Sequence, residues 1–296
     1  MASGVVVLGD TLTITAPAKI NLLLKVLGKR SDGYHELETV MHQIDLADTL
    51  YLRPADDFAL YCDDESLPLG EENLVQRAAR EMFMRYDLPG GLEVRLEKRI
   101  PIGAGLAGGS SDAAAVIRGI NQLYDLSLDT STLCDIGAKI GSDVPFCVIG
   151  GTAVARGRGE RLETLAEGPR LYLLLCKPGF SLATADVFGA FNFPEPTNSP
   201  DLAAFTAAWQ SLDIEEIAAL LYNSLESASL ELAPEIGELK ALCWQEQPLG
   251  VLMSGSGPTI YAIFNEMATA RQAYNRIYSY GYQTWLARSW RSGKDG

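Results

Sequence analysis

The stretch PIGAGLAGGSSDAAA, at residues 101–115, decides how this chain folds and what it can bind. Glycine lacks a Cβ, so its backbone can adopt positive φ values and approach a ligand closely. The glycines run directly into an alanine-rich segment of helical character. The first N–H groups of a helix have no acceptor within it, and with the helix dipole they form an anion site. We therefore predict a phosphate-binding loop here.

The helix after the glycines is predicted to cover residues 110–126. Ser110 or Ser111 would cap its N-terminus, and Asp112 in the first turn would suit the positive end of the dipole. A side chain at Gly108 is expected to fill space that phosphate oxygens need. A flexible Gly/Ser linker is the plain alternative, but a linker would not continue into the run DAAAVIRGI.

Two better-known phosphate motifs do not fit this loop. Residues 103–108 match GxGxxG, and Asp125 lies near the acidic position of the dinucleotide-binding fingerprint. That fingerprint places the acidic residue at the end of the next strand, whereas residues 116–126 are predicted to be helical and a second helix follows. The Walker A motif requires Gly-Lys followed by Ser or Thr, and the loop contains no lysine.

Composition sets the broad class of protein. The 296 residues are 47% apolar and 21% charged, which is typical of one large or two modest globular domains. A net charge of −14 argues against a nucleic-acid surface, and an anionic substrate would need a local basic patch. The five cysteines show no CxxC spacing, which favours a reducing compartment. No apolar run has membrane-spanning length, so we expect a cytoplasmic protein that binds no membrane.

Hydrophobic periodicity predicts the remaining elements. Helices are expected at residues 73–84 (capped by Asn73), 129–140 and 183–191, between about 200 and 246, and up to residue 280. Strands are expected at residues 11–15, 19–27, 38–44, 48–53, 92–97, 146–155 and 171–176, in a hairpin at 250–264, and ending near 285. Residues 191–200 are predicted to be a loop because of their prolines. The alternation after residue 170 suggests a small α+β sandwich.

Lys19 and Asn21 are two residues apart on an otherwise apolar strand, so both side chains project from the same face. Buried polar pairs of this kind are unusual, which makes them candidates for a site. The alternative is a solvated edge strand.

The turn-rich loop at residues 28–36 carries Tyr34 beside His35, one of two histidines in the chain. An aromatic next to an imidazole on a loop suits stacking on, and hydrogen bonding to, a planar ligand. Chance placement of the pair on the surface explains it equally well.

Asp143 lies in the turn SDVPF at residues 142–146, between a predicted helix and a predicted strand. An aspartate in a turn is commonly only a turn or capping residue. The turn at residues 254–257 could likewise be an ordinary glycine hairpin. Further along the chain, Thr184 and Phe188 share one face of a predicted helix.

Three motifs in order resemble those of the GHMP small-molecule kinases. They are APAKINL at 16–22, PIGAGLAGGSSDAA at 101–114 and LMSGSGPT at 252–259, supported by GYH at 33–35 and GSDVPF at 141–146. The resemblance implies an α+β fold of two domains. These are a ribosomal-protein-S5-like N-terminal domain (residues 1–168) and a ferredoxin-like C-terminal domain (residues 169–296), with the site in the cleft between them.

The resemblance also implies roles for individual residues. Asp143 corresponds to the catalytic base, and Lys19 lies beside it. The ATP-binding residues would be Pro101, Ile102, Gly103, Ala104, Gly105, Leu106, Ala107, Gly108, Gly109, Ser110 and Ser111. The substrate-binding residues would be Asn21, Tyr34, His35, Thr184 and Phe188, with Tyr34 against a cytosine ring. Mg²⁺ is expected with ATP, but only a loop serine is a candidate ligand.

The resemblance is strongest to members that phosphorylate a hydroxyl of a cytidine-diphosphate methylerythritol in the non-mevalonate route to isoprenoids. Two alternatives remain open at this point. A GHMP kinase for mevalonate, homoserine or a sugar would share the phosphate loop but needs no aromatic pair for cytosine. A nucleotide-binding protein without catalysis could keep the fold, although retention of Lys19 and Asp143 speaks against it.

Overall fold

The computed structural model describes residues 5–8, 11–193 and 199–291, with side chains from residue 11 onward. Its first half contains β1 (Val5–Leu8), β2 (Thr11–Lys29), β3 (His35–Ala55), β4 (Ala59–Cys62), α1 (Leu74–Tyr86), β5 (Gly91–Glu97), α2 (Gly108–Leu123), α3 (Thr130–Ile140), α4 (Val144–Ile149), β6 (Thr152–Gly157) and β7 (Arg161–Thr164). Its second half contains β8 (Tyr172–Lys177), α5 (Thr184–Ala190), α6 (Leu202–Gln210), α7 (Ile214–Ala219), β9 (Tyr222–Asn223), α8 (Glu226–Leu232), α9 (Glu235–Gln245), β10 (Gly250–Met253), β11 (Ile260–Phe264), α10 (Met267–Ser279) and β12 (Gln283–Arg288).

The N-terminal sheet is built around two long antiparallel strands, β2 and β3, which pair from Leu12 opposite Leu52 to Lys29 opposite His35. The two strands predicted in each of these regions are therefore one. A shift of register between Pro17 and Lys19 accommodates the proline without ending the pairing. The sheet order is β1-β2-β3-β5-β4, with β6 added to β3, β7 to β6, and the short β9 to β2.

The C-terminal sheet has four strands in the order β10-β11-β8-β12, all antiparallel. Helix α9 lies in the connection from β8 to β10, and α10 connects β11 to β12. This gives the β-α-β-β-α-β core of a ferredoxin-like domain. The predicted division at residues 168 and 169 falls between β7 and β8, although β9 crosses back to the first sheet.

Three hydrophobic clusters place the sheets and helices in layers. Helices α1 to α4 pack on one face of the first sheet around residues such as Ile14, Leu96 and Ile117. A second cluster joins the two sheets through Ile20 and Tyr261, among others. A third buries α9 and α10 on the far face of the second sheet. Side chains alternate between the two faces along a strand. On β2, Ile20 therefore faces the second sheet, whereas Lys19 and Asn21 face the opposite way.

Three predicted elements differ from the structure in type or extent. Residues 146–149 belong to helix α4, not to a strand, because Pro145 stands at its first turn, where a missing N–H costs nothing. The strand begins only at Thr152, after Gly150 and Gly151. Helix α2 ends at Leu123, and the predicted helical run before residue 246 is interrupted by β9.

The remaining helices agree with the sequence patterns. Asn73 caps α1 by accepting a hydrogen bond from Val75, and Asp129 caps α3 by accepting one from Thr132. Part of the predicted loop at 191–200, residues 194–198, lies outside the described residues. Within the described ranges, no helix is long and apolar enough to span a bilayer.

Candidate active site

A cleft of about 1050 Å³ collects nearly all the residues that the sequence singled out. Its walls include Lys19, Asn21, Tyr34, His35, Asp143, Thr184, Phe188 and residues 101–110. Pockets for one small molecule typically measure about 300–1,000 Å³. The volume of this cleft lies at the upper end of that range.

The phosphate loop owes its shape to three residues with positive φ. These are Gly103 (60°), Gly105 (73°) and Ala107 (56°). Ala107 is the N-cap of α2, and the helix begins at Gly108. The prediction that Ser110 or Ser111 caps the helix is wrong, because the glycines themselves adopt helical conformation one turn earlier.

The exposed start of α2 carries the free N–H groups. The first helical hydrogen bond runs from Ser111 N to Ala107 O at 2.9 Å. The N–H groups of Gly108, Gly109 and Ser110 therefore have no acceptor within the helix, and all three residues line the cleft. This arrangement is an anion site of the predicted kind.

Ser111 and Gly108 are both held by contacts within the protein. Ser111 is buried and donates its hydroxyl to Pro17 O at 2.7 Å, so neither its N–H nor its hydroxyl is available to a nucleotide. A Cβ on Gly108 would meet Ile100 Cγ2 at 3.0 Å and Lys98 Nζ at 3.3 Å. A side chain at Gly108 would therefore crowd Ile100 and Lys98, which would have to shift by a few tenths of an ångström.

Asp112 is buried inside α2, beyond the first turn, and it contacts Lys98. The Lys98 ammonium lies 2.5 Å from Asp48 Oδ2 and 3.0 Å from Asp112 Oδ2. Asp48 also accepts hydrogen bonds from the N–H groups of Arg99 and Ile100, at 2.6 and 2.8 Å. The cluster ties β3 and the chain entering the phosphate loop to α2.

The cluster contains one ammonium for two carboxyl groups, and this imbalance shifts the pKa values of Asp112 and Lys98. Burial raises the pKa of Asp112 to about 8; Lys98 opposes this rise and Asp48 adds to it. Burial lowers the pKa of Lys98, but the carboxyl groups of Asp112 and Asp48 outweigh it and the net pKa is raised. Asp112 therefore holds its proton more tightly than a free aspartate does.

Replacing Asp112 with asparagine should remove a pH dependence of stability. A carboxyl whose folded pKa lies above its unfolded value stabilises the protein fully below about pH 4, and this contribution is lost as the pH rises to about 8. The loss is at most about 1.4 kcal/mol per pH unit. The melting temperature of the wild type should therefore fall relative to that of Asp112→Asn between pH 5 and 8. Above about pH 8 the difference between the two should stay constant. A constant difference across this range would mean that Asp112 is ionised throughout.

Lys19 is buried at the floor of the cleft, and its neighbours fix its position. Its ammonium donates to Asn21 Oδ1 at 2.7 Å, and Asn21 Nδ2 donates to Thr39 Oγ1 at 2.9 Å. Asn21 is thereby oriented as the acceptor for Lys19. The solvated edge strand that was the alternative for this pair does not occur.

Asp143 meets Lys19 across the cleft, with Lys19 Nζ 3.4 Å from Asp143 Oδ2. The aspartate is the N-cap residue of α4, but its side chain makes no capping hydrogen bond. Its carboxylate is 32% exposed and faces the cleft. The turn therefore places beside a buried ammonium a carboxylate that caps no helix N–H.

The glycine turn at residues 254–257 packs directly on the phosphate loop. Ser254 Oγ donates to Gly105 O at 3.0 Å, and a Cβ on Gly105 would come within 2.2 Å of Ser254 O. Gly255 and Ser256 line the cleft. The turn thus fixes the loop from the second domain, which an ordinary hairpin would not do.

Aromatic side chains close the other end of the cleft. The ring of His35 stacks on Phe188 at 4.8 Å between centroids. Burial, with a smaller effect of Lys29, lowers the pKa of His35. Tyr34 is 52% exposed, with the Arg158 guanidinium 4.9 Å from its ring centroid. Thr184 Oγ1 lies 3.0 Å from Ser256 Oγ, so α5 joins this end of the cleft to the glycine turn.

Several cleft residues were missed by the sequence analysis. Arg158 lies between two glycines directly after β6. A basic residue in such a turn is unusual in an acidic chain, so the sequence could have indicated it as a site residue. With Lys29 it supplies positive charge in the cleft wall. An apolar wall formed by Leu67, Pro68 and Leu74 lies near the phosphate loop and carried no signal.

Comparison with known proteins identifies the family to which this architecture belongs. Residues 73–151 match the GHMP kinases N terminal domain, and residues 203–283 match the GHMP kinases C terminal domain. The chain belongs to the GHMP kinases. It is 46% identical over 278 residues to 4-diphosphocytidyl-2-C-methyl-D-erythritol kinase of Syntrophomonas wolfei. The aligned region covers 94% of this chain and 98% of that protein.

Two solved structures agree with this placement. A crystal structure of 4-(cytidine 5'-diphospho)-2C-methyl-D-erythritol kinase superposes with a TM-score of 0.80 at 35% identity, covering 94% of this chain and 100% of that one. Homoserine kinase from Cytophaga hutchinsonii shares the fold, with a TM-score of 0.75 at 20% identity over 96% of both chains. The two-domain α+β architecture is that of the family.

Proposed function

We propose that this GHMP kinase transfers the γ-phosphoryl group of ATP to a hydroxyl of 4-diphosphocytidyl-2-C-methyl-D-erythritol, a step in isoprenoid precursor synthesis. The observation that carries the proposal is one continuous cleft. It joins a helix-terminus anion site, a lysine–aspartate pair 3.4 Å apart, and an aromatic end suited to a nucleobase. The expected acceptor is the 2-hydroxyl group.

The phosphate loop would hold the ATP phosphates through the N–H groups of Gly108, Gly109 and Ser110. The adenine ring would lie against the apolar wall of Leu67, Pro68 and Leu74. Ser111 keeps no role in this assignment. The rest of the predicted loop, from Pro101 to Ser110, shapes the phosphate site.

The lysine–aspartate pair would carry the chemistry. The acceptor hydroxyl oxygen attacks the γ-phosphorus, the bond from that phosphorus to the β–γ bridging oxygen breaks, and ADP leaves. Asp143 Oδ takes the hydroxyl proton, or orients the hydroxyl until the proton departs. Lys19 faces the oxygens on which negative charge develops, held there by Asn21.

Mg²⁺ would accompany ATP and neutralise charge on its phosphates. The described residues contain no group of three His, Cys, Asp or Glu side chains suited to a metal ion. Mg²⁺ commonly binds through one or two protein oxygens, substrate phosphates and water. The Ser110 hydroxyl is the oxygen of the phosphate loop that fits this mode.

The aromatic end would hold the cytidine group. Tyr34 offers an exposed ring for stacking, while His35 and Phe188 form the adjoining wall. Thr184, next to Ser256, lies between this wall and the phosphate loop. Mevalonate and homoserine have no ring, so this end of the cleft favours the cytidyl substrate over these two. A separate observation concerns location. None of the five cysteines forms a disulfide, which fits a cytoplasmic protein.

Tyr34→Ala tests the substrate assignment. Base–aromatic stacking is worth about 1–3 kcal/mol per base, which corresponds to a roughly five- to hundredfold rise in the dissociation constant for cytidine diphosphate. Tyr34→Phe should bind nearly as the wild type does, because the ring face remains. Titration calorimetry with cytidine diphosphate and, separately, ATP gives both constants.

Tyr278→Ala is the matched control, since Tyr278 is 62% exposed and lies outside the cleft wall. It should change neither constant. Equal cytidine affinity in the wild type, Tyr34→Phe and Tyr34→Ala would remove the cytidyl substrate while leaving a GHMP-type kinase.

A further inference from the structure

A second cavity, of about 810 Å³, lies apart from the active cleft. It shares no wall residue with the active cleft. Its wall combines the C-terminal half of α2, the end of α4, and the segment from residue 164 to residue 169. The volume is within the range of small-molecule sites.

Arg118 brings an uncompensated positive charge into this cavity. Its guanidinium makes one long hydrogen bond, from Nη2 to Thr15 O at 3.3 Å. Within the described part of the chain, no Asp or Glu carboxylate pairs with it. Burial lowers the pKa of Arg118, with a smaller opposing effect of Cys147, so its surroundings disfavour the unpaired charge.

The other ionisable groups in the wall do not neutralise Arg118. Arg291 Nε lies 3.0 Å from Glu167 Oε1, so these two charges compensate each other. Burial, with a smaller effect of Arg291, lowers the pKa of His42 to about 3, and both of its ring nitrogens bond to hydroxyls, of Thr152 and Ser289. The wall therefore carries a net charge of about +1 in a protein of net charge −14.

A buried donor in the same wall points to a ligand with acceptor atoms. Gln43 is 3% exposed, and its Oε1 accepts a hydrogen bond from Gly151 N at 2.9 Å. Its Nε2 has no hydrogen-bond partner. Leaving such a donor unsatisfied costs about 1–3 kcal/mol.

We propose that this cavity binds a small molecule through a phosphate or carboxylate group, with Arg118 as its charge partner. The guanidinium presents a planar fork of N–H donors that matches either anion in two-point geometry. The site contacts the same helices as the active cleft. Helix α2 begins in the phosphate loop, and α4 begins after Asp143 and ends at Ile149 in the cavity wall.

Binding of two anions to the full-length protein tests the proposal, with the active cleft saturated by ADP so that the phosphate loop is occupied. The probes are inorganic pyrophosphate and citrate, titrated separately by calorimetry. At least one should bind the wild type, and the stronger probe tells whether the group is a phosphate or a carboxylate. Arg118→Gln should weaken that binding about ten- to hundredfold, as expected for a charged hydrogen-bond partner. Arg118→Lys should retain part of it.

Two further variants make the result decisive. Gln122→Glu changes an exposed wall residue one turn along α2 from Arg118, and the added carboxylate should pair with Arg118 and weaken binding without disturbing the core. Arg271→Gln, on α10 and outside both cavities, removes the same charge and should bind like the wild type. The proposal is overturned if neither probe binds once ADP is saturating, or if binding is equal in the wild type, Arg118→Gln and Gln122→Glu.

Discussion

Asp143→Ala is expected to lower kcat by about 10²–10⁴, the usual contribution of a positioned general base. The carboxylate acts on the acceptor hydroxyl, whereas the N–H groups at the start of α2 hold the phosphates, so the dissociation constant for ATP should change little. Single-turnover assays give the rate, and calorimetry with ATP gives the affinity. Asp143→Asn keeps the shape of the side chain and should be almost as slow.

Asp135→Ala is the matched control, because Asp135 is an exposed aspartate on α3 outside the cleft. It should have wild-type activity. A correctly folded Asp143→Ala protein with near-normal turnover would remove Asp143 from the mechanism. A protein that instead lost ATP binding with its activity would place the aspartate among the phosphate contacts.

Gly105→Ala is expected to disrupt the phosphate loop. The added Cβ would come within 2.2 Å of Ser254 O, and φ at this residue is 73°. The backbone conformation alone costs a residue other than glycine about 1–3 kcal/mol. The overlap must also push the glycine turn at residues 254–257 away from the loop. We expect a lower melting temperature together with ATP affinity reduced at least tenfold.

Gly109→Ala separates this effect from a general intolerance of side chains in the loop. Its Cβ would meet only Leu74 Cδ1, at 3.7 Å, an ordinary contact. Alanine also favours helix more than glycine by about 1 kcal/mol. This variant should melt at or above the wild-type temperature. If Gly105→Ala is as stable as Gly109→Ala, the contact between the loop and the glycine turn is not tight.

Much of the site was predictable from local patterns. The spacing of Lys19 and Asn21 fixed a shared face, because side chains alternate along a strand. The glycines before α2 indicated the anion site, since their conformational freedom and the helix start are local properties. The motif set resembled the GHMP kinases, and the family matches confirmed that assignment.

The errors arose where nearby residues or distant partners overrode a local pattern. Residues 146–149 are apolar enough for a strand, but Pro145 starts a helix there. Ser110 and Ser111 are good capping residues in isolation, yet Ala107 ends the loop one turn earlier.

The residues that were missed depend on tertiary contacts. Asp48 and Lys98 are 50 positions apart in the sequence and meet only because β3 pairs with β5. Arg158 reaches Tyr34 only because β6 pairs with the beginning of β3. No spacing rule within a single segment could have found these contacts.

Phosphorylation of a substrate panel tests the central claim most directly. The protein is incubated with ATP, Mg²⁺ and one acceptor at a time: 4-diphosphocytidyl-2-C-methyl-D-erythritol, mevalonate or homoserine. Phosphorus NMR follows ADP and any new phosphomonoester. We expect ADP and a phosphomonoester in equal amounts with the cytidyl acceptor and neither with the other two. Faster phosphorylation of mevalonate or homoserine, or no acceptor-dependent ADP at all, would contradict the assignment.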